Sequence, residues 1–352
     1  MSQPIPTVVL GGTGYVAGEL LRLLVQHPRL EIAAVMSESQ AGNAIRNVFP
    51  QLQGSLGEAA FMDRTAVLDS IGPGPTALFS AAPHGASAGL IAGMLQRAET
   101  ASSDLTVVDV SADFRYRDAA EYESVYGQPH GAPQLLPSFR SSVPEHLSDS
   151  QSPHIGHPGC FATALLMAIV PLIQLELTQG DLHAVGVTGS TGAGRSPSAT
   201  THHPERHANM FAYKPLAHRH APEVEAICEA LTGHRPAVRF VPHSGPFSRG
   251  IHMTLQARLK KRSAASTLRT ALEHFYADSQ FVIVRQDTPR IKNVVGSNFC
   301  HIGVAADGDS VAVFVVIDNL VKGAAGGAIQ WMNRKLGLAE HDGLTAPAIG
   351  WS

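Results

Sequence analysis

Hydrophobic positions in this chain gather into short runs bounded by glycine and polar residues. Residues 7–10 form one such run. The glycine-rich segment 11–18, a helical pattern over 19–27 and a second apolar run at 30–36 follow it. Strand, glycine turn, helix and strand in that order predict a β-α-β unit. Runs at 77–81 and 105–110 predict further strands, each opening into a polar loop, Pro83-His84-Gly85 and Ser111-Ala112-Asp113. In a doubly wound parallel sheet such strand ends line the ligand crevice. Alternating strands and helices predict that α/β architecture over roughly the first 150 residues.

The pattern changes over 118–153, where proline, serine and tyrosine accumulate, and the segment reads as a connection leaving the first domain, with a boundary near Ile155. Beyond it, 161–177 has the apolar density of a helix packed on both sides. Segments 184–188, 237–241, 252–257, 281–284 and 311–317 read as strands. This predicts an α+β second domain with a mostly antiparallel sheet covered on one face. Residues 320–336 are rich in small residues and helical in pattern, and a tail with proline and glycine follows.

A chain of 352 residues exceeds the usual size of one domain, in line with two units. With 44% hydrophobic and 16% charged residues the composition is that of a globular protein. A net charge of -3 supplies no basic stripe for a phosphate backbone, so no nucleic-acid partner is expected. No apolar run is long enough for a membrane-crossing helix. Residues 1–7 lack a basic-then-apolar leader pattern, which makes the cytoplasm the expected location. Three cysteines, Cys160, Cys228 and Cys300, are too few and too scattered for a disulfide framework and are expected as free thiols.

The turn Gly11-Gly12-Thr13-Gly14-Tyr15-Val16-Ala17-Gly18 has the placement in which glycines admit a pyrophosphate to a helix N-terminus, so a dinucleotide is expected there. Met36-Ser37-Glu38-Ser39 ends the second predicted strand. The serines suit a 2′-phosphate and Glu38 suits a ribose diol, so the residues leave NADP and NAD both open. The strongest chemical signal is Gly156-His157-Pro158-Gly159-Cys160, where a loop delivers Cys160 to the first turn of a long apolar helix. Backbone N–H groups and the helix dipole at that end stabilise a thiolate nucleophile. A base is available in His218-Arg219-His220-Ala221-Pro222-Glu223; if this segment is extended, both histidines share one side. His202, His203 and His207 lack the spaced partners of a zinc site, and no metal is expected. The second glycine-rich loop, 189–195, ends in Arg195. Arg115 follows a strand and is placed to clamp an anion as readily as to form a surface ion pair.

Taken together these motifs resemble the N-acetyl-γ-glutamyl-phosphate reductase family, the arginine-biosynthesis relatives of aspartate-semialdehyde dehydrogenase. The match runs through 11–20, Val108-Asp109-Val110-Ser111-Ala112-Asp113-Phe114-Arg115, Pro158-Gly159-Cys160, 189–195, 218–223 and 318–326. The resemblance implies a Rossmann-type NADP-binding domain over 1–155, completed by a C-terminal helix within 319–352, and a catalytic and oligomerisation domain over 156–318. It implies that Cys160 expels phosphate from an acyl phosphate to give a thioester, which NADPH reduces to a semialdehyde. His220 is implied as acid/base and His218 in substrate positioning, the reverse remaining open. Gly11, Thr13, Gly14, Tyr15, Val16, Ser37, Ser39, Pro83, Gly192 and Asn319 are the implied cofactor contacts. Ser111, Arg115, Arg195, His218 and Glu223 are the implied substrate contacts. A small-molecule acyl phosphate and a homo-oligomer, dimer or tetramer, are the implied partners. Relatives with the same chemistry take N-succinyl-glutamyl, aminoadipyl or aspartyl phosphates, and a non-catalytic dinucleotide-binding regulator is the reading from another class. Ala17 stands where the family usually has a third glycine, and His157 where it commonly has asparagine.

Overall fold

The computed structural model describes residues 3–147 and 152–351, which form two compact units. The first comprises 3–142, 152–157 and 325–345, and the second 143–147, 158–324 and 346–351. The change of unit at 157/158 falls just beyond Ile155. The C-terminal return to the first unit is 325–345, shorter than the implied 319–352, because residues up to 324 and the final segment belong to the second unit.

In the first unit β1 (Ile5–Leu10), β2 (Leu30–Val35), β3 (Gly74–Ser80), β4 (Ser103–Asp109), β5 (Phe139–Ser141) and β6 (His154–Gly156) make a six-stranded sheet ordered β2-β1-β3-β4-β6-β5. Every ladder in it is parallel. Parallel strands are covered on both faces, which is why Val8, Val9 and Leu10 are all buried. Helix Tyr15–Leu24 buries Ala17, Leu20, Leu21 and Leu24, and its Gly18 admits the Phe49 ring, which a Cβ would meet at 2.8 Å. Segment 118–142, expected to leave the domain, stays in it. It forms helix Ala119–Tyr126 and contributes β5, because Phe139 stacks on Phe114 with ring centroids 3.7 Å apart. Helix Gly326–Lys335 packs against β4, and Trp331 donates its indole N–H to the Ser142 carbonyl at 2.8 Å.

The second unit is built around helix Cys160–Gln174. Every residue from Phe161 to Leu172 is buried, so the helix has no face to turn to solvent. Strands β7 (Thr178–Thr188), β8 (Phe211–Ala212), β9 (Val238–Ser244), β10 (Ile251–Leu259), β11 (Val282–Val284), β12 (Cys300–Asp307) and β13 (Ser310–Ile317) form a seven-stranded mixed sheet, ordered β11-β12-β13-β10-β7-β9-β8. Its centre is antiparallel. Ile251, Met253, Leu255, Ala257 and Leu259 of β10 alternate with polar residues and face the helix core.

Pro171 lies inside this helix and has no N–H to give the Met167 carbonyl. The buried Tyr276 hydroxyl fills the gap, donating to that carbonyl at 2.8 Å. Its proton is thereby spent, so His146 must donate to the hydroxyl, at 2.9 Å, through Nε2. Burial holds His146 neutral by lowering its pKa to about 4. Tyr276→Phe strands the Met167 carbonyl in the core, and we expect it to cost about 1–3 kcal/mol in urea unfolding. A loss below about 0.5 kcal/mol, the level of a neutral surface change, would refute this role.

Candidate active site

The glycine loop of the first unit lies at the topological switch of its sheet, where β1 is flanked by β2 and β3. Gly11 has φ +74° and approaches Ala82, just past β3, so closely that a Cβ would sit 2.5 Å from its backbone. Gly14 caps helix Tyr15–Leu24 in extended geometry, offers no side chain to the helix N–H groups, and has open space where a Cβ would stand. That cradle fits a dinucleotide pyrophosphate. Thr13 and Val16 are half-buried beside it, and Tyr15 and Pro83 are exposed. At the end of β2 the Ser37 and Ser39 hydroxyls lie 3.5 Å apart. Glu38 is turned to another task, accepting the Arg64 N–H at 3.0 Å where helix Arg64–Ser70 begins.

Two implied substrate contacts, Ser111 and Arg115, also make scaffold bonds. Ser111 donates to Asp109 at 2.6 Å, and Ser87 donates to the same carboxylate at 2.8 Å. Burial raises the pKa of Asp109 to about 6 despite these bonds. Arg115 is buried and donates to the His157 carbonyl and the Val110 carbonyl, both at 3.0 Å. The polar groups that the sequence suggested for an anion thus also brace the strand ends.

In the second unit a cavity of about 440 Å³ is lined by Cys160, His218 and His220, together with Gly192, Lys214 and Arg219. Cys160 begins one helix and His220 begins another, His220–Thr232. The 218–223 segment is therefore a turn entering a helix and not an extended strand. The two histidine rings still meet, centroids 4.6 Å apart, with Arg219 exposed. Gly186 on β7 makes room for the Phe161 ring, and that ring packs edge-on to both histidines. Behind Cys160, Gly323 comes so near that a Cβ would stand 2.9 Å from the Cys160 Cβ. A short π-turn, Val321–Ala325, carries Gly323. The buried Asp318 holds that turn by accepting from Leu320 N, Val321 N and the Arg249 guanidinium, and the buried Lys322–Glu145 ion pair holds it from the other side.

Asn319, implied as a nicotinamide contact, also braces a loop. It accepts the Gly250 N–H at 2.7 Å and donates to the Thr191 hydroxyl at 3.0 Å, which fixes the 189–193 loop bearing Gly192. Arg195 is exposed and does not line the cavity. Glu223 is fully buried and does not line it either; its carboxylate accepts the Gly159 N–H at 2.7 Å. Thr200, Thr201 and Tyr213 line the cavity too, within the stretch 200–213, whose sequence differs from the family's common form and which the resemblance places near the acyl group; Ser244 lines it with no motif to mark it. Among the described residues no cluster of His, Cys, Asp or Glu could hold a metal, and no helix is long and apolar enough to cross a membrane.

A parallel-sheet unit with a dinucleotide loop, joined to an α+β unit with a cysteine at a helix start, has the architecture of an acylating dehydrogenase. Residues 7–142 match the family model described as semialdehyde dehydrogenase, NAD binding domain, and 160–319 match semialdehyde dehydrogenase, dimerisation domain. The chain belongs to the semialdehyde dehydrogenase family. It is 40% identical over 349 residues to N-acetyl-gamma-glutamyl-phosphate reductase of Ectopseudomonas mendocina, covering 97% of this chain and 98% of that one. The enzyme of the same name from Azotobacter vinelandii is also 40% identical, with the same coverage. Among solved structures, aspartate semialdehyde dehydrogenase II of Vibrio cholerae superposes with a TM-score of 0.68 at 15% identity, over 96% of this chain and 99% of that one. Aspartate semialdehyde dehydrogenase with NADP from Candida albicans gives 0.65 at 15% identity, over 93% and 97%. At such identities the likeness concerns the fold.

The two histidines differ in what their surroundings permit. His218 accepts the His220 backbone N–H at 3.2 Å through Nδ1, so its proton sits on Nε2. Burial, then the charges of Arg219 and Lys214, lower its pKa to about 4, leaving a neutral hydrogen-bond donor on the cavity wall. Burial likewise lowers His146 and His154 to about 4. A histidine whose folded pKa lies below its unfolded value of 6.5 contributes stability above pH 6.5, and that stability is lost as the pH falls toward 4. We therefore expect Tm to be flat above about pH 7 and to drop steadily between 6.5 and 4 in calorimetric scans. A Tm unchanged across that window would contradict the neutral buried state.

Proposed function

We propose that this protein is an NADP(H)-dependent reductase of an N-acylated γ-glutamyl phosphate, N-acetyl-γ-glutamyl phosphate by preference, acting in arginine biosynthesis through a Cys160 thioester. The observation that carries the reading is the convergence of Cys160 and His220, each the first residue of a helix, on one cavity. Lys214 and Arg219 line that cavity and, among the described residues, no Asp or Glu does. Two cations and two helix N-termini suit an anionic acyl phosphate with a free carboxylate. A wall without carboxylates suits an amino group blocked by acylation. Three free thiols and a small-molecule substrate suit the cytoplasm.

The Cys160 thiolate attacks the acyl carbonyl carbon, a C–S bond forms, the C–O bond to phosphate breaks, and phosphate departs with the electron pair. The helix-start N–H groups beside Cys160 stabilise the oxyanion of each tetrahedral species. A bound nicotinamide supplies one hydride equivalent. His220 protonates the resulting oxyanion, then takes the proton back as the thiohemiacetal collapses, releasing aldehyde and regenerating the thiolate. His218, neutral with its proton on Nε2, donates to substrate oxygen and holds it in place.

Gly11, Thr13, Gly14, Tyr15 and Val16 are proposed to hold the pyrophosphate. Ser37 and Ser39 are proposed to meet the 2′-phosphate of NADP, a reading supported by the engagement of Glu38 with the Arg64 N–H. A homo-oligomer formed through the second unit accords with the dimerisation-domain match over 160–319.

The test is oxidation of N-acetylglutamate semialdehyde with phosphate and NADP, read as NADPH formation. Cys160→Ala is expected to lose more than about a thousandfold in kcat/KM. The N-succinyl semialdehyde and NAD are each expected to react more slowly with the unaltered protein. Retained activity in Cys160→Ala, or no phosphate dependence, would overturn the thioester reading.

A further inference from the structure

Beside the reacting residues lies a buried carboxylate that takes no part in the proposed steps. Glu223 is fully buried. It follows His220 by three residues, so the two side chains share one face of the first turn of their helix. Across the boundary to the neighbouring helix, its carboxylate accepts the N–H of Gly159 at 2.7 Å. Gly159 is the N-cap of the Cys160 helix and has no side chain with which to cap it. The two helices pack against each other, and Val224, Ile227 and Cys228 belong to the same apolar core as Leu165 and Leu166.

A helix N-terminus carries the equivalent of about half a positive charge. Bringing two of them to one cavity in an apolar core is therefore repulsive, and Pro158-Gly159 carries no polar side chain to fix the start of the Cys160 helix. One carboxylate in the first turn of one helix, bonded to the N-cap of the other, answers both problems. It offsets the paired dipoles and fixes the distance between the residues that begin the two helices.

We propose that Glu223 is a positioning residue for the reaction. It pins Gly159, and through the backbone the Cys160 sulfur, to the helix that carries His220, and touches neither substrate nor cofactor. The role needs a hydrogen-bond acceptor at a particular reach from the helix. Glutamine keeps an acceptor oxygen at that reach. Aspartate keeps the carboxylate but withdraws it by one methylene, and alanine removes it.

Two readouts on the full-length protein test this, with Tm measured as the control for folding. One is kcat and KM for semialdehyde oxidation, which rests on the proposed function. The other is the yield of a Cys160–His220 bridge with dibromoacetone, in which the thiolate and the imidazole each displace one bromide; this needs no substrate and stands if the substrate assignment fails. Glu223→Ala and Glu223→Asp should lose kcat on the order of 100-fold with KM changed by less than about threefold, and should bridge at least about fivefold less. Glu223→Gln should stay within roughly tenfold of the unaltered protein in kcat and should bridge as well as it does. If the alanine variant does not fold, Gln above Asp in both readouts supports the proposal. It is overturned if folded Glu223→Ala turns over at the unaltered rate, if Gln is impaired as much as Asp, or if the unaltered protein forms no bridge.

Discussion

A helix that is apolar on every side has to be enclosed, and much of the second unit follows from enclosing Cys160–Gln174. The seven-stranded sheet offers it the alternating apolar face of β10 and β13, and helix His220–Thr232 covers another side. Even its internal proline is accommodated from outside, by the Tyr276 hydroxyl on the Met167 carbonyl. A helix held this firmly along its length presents its first residue at a fixed point. Cys160 is that residue, and it is only partly buried while the next twelve are closed off. Burial of the shaft and reactivity of the tip are two results of one packing arrangement.

The groups around the tip divide by whether their polar atoms are spent. Asp318, Asn319 and Glu223 are all polar and buried, and each helps to hold a loop. Unpaired polar groups in a dry interior are costly, so a loop that must approach a thiol closely recruits polar residues as braces. Lys214 and Arg219 reach the cavity wall from exposed positions, and that is where an anion can be met. A motif that looks chemical in sequence is therefore often the frame of the chemistry.

Much of this was legible beforehand. The glycine loop, the strands on either side of it and the cysteine helix follow from local patterns, and local patterns are what a sequence displays directly. Strands β5 and β6 were hidden in a proline-rich stretch because three residues each are too few to show a period. The helix beginning at His220 was obscured by Pro222 in its first turn, a place where proline is tolerated. Long-range bonds could not be foreseen: that Glu223 is bonded to a residue 64 positions away is a matter of packing, which no spacing rule encodes. The bonds of the Asn319 amide to Gly250 and Thr191 were hidden for the same reason.

The central claim is that Cys160 carries the acyl group between phosphate and aldehyde. The most direct measurement omits phosphate: the protein is mixed rapidly with NADP and N-acetylglutamate semialdehyde, NADPH is followed, and the quenched protein is digested for mass analysis. The account predicts a burst of about one NADPH per chain followed by a stall, with an N-acetylglutamyl adduct on the peptide containing Cys160. Steady NADPH formation without phosphate, or a burst with the adduct on another residue, would contradict it.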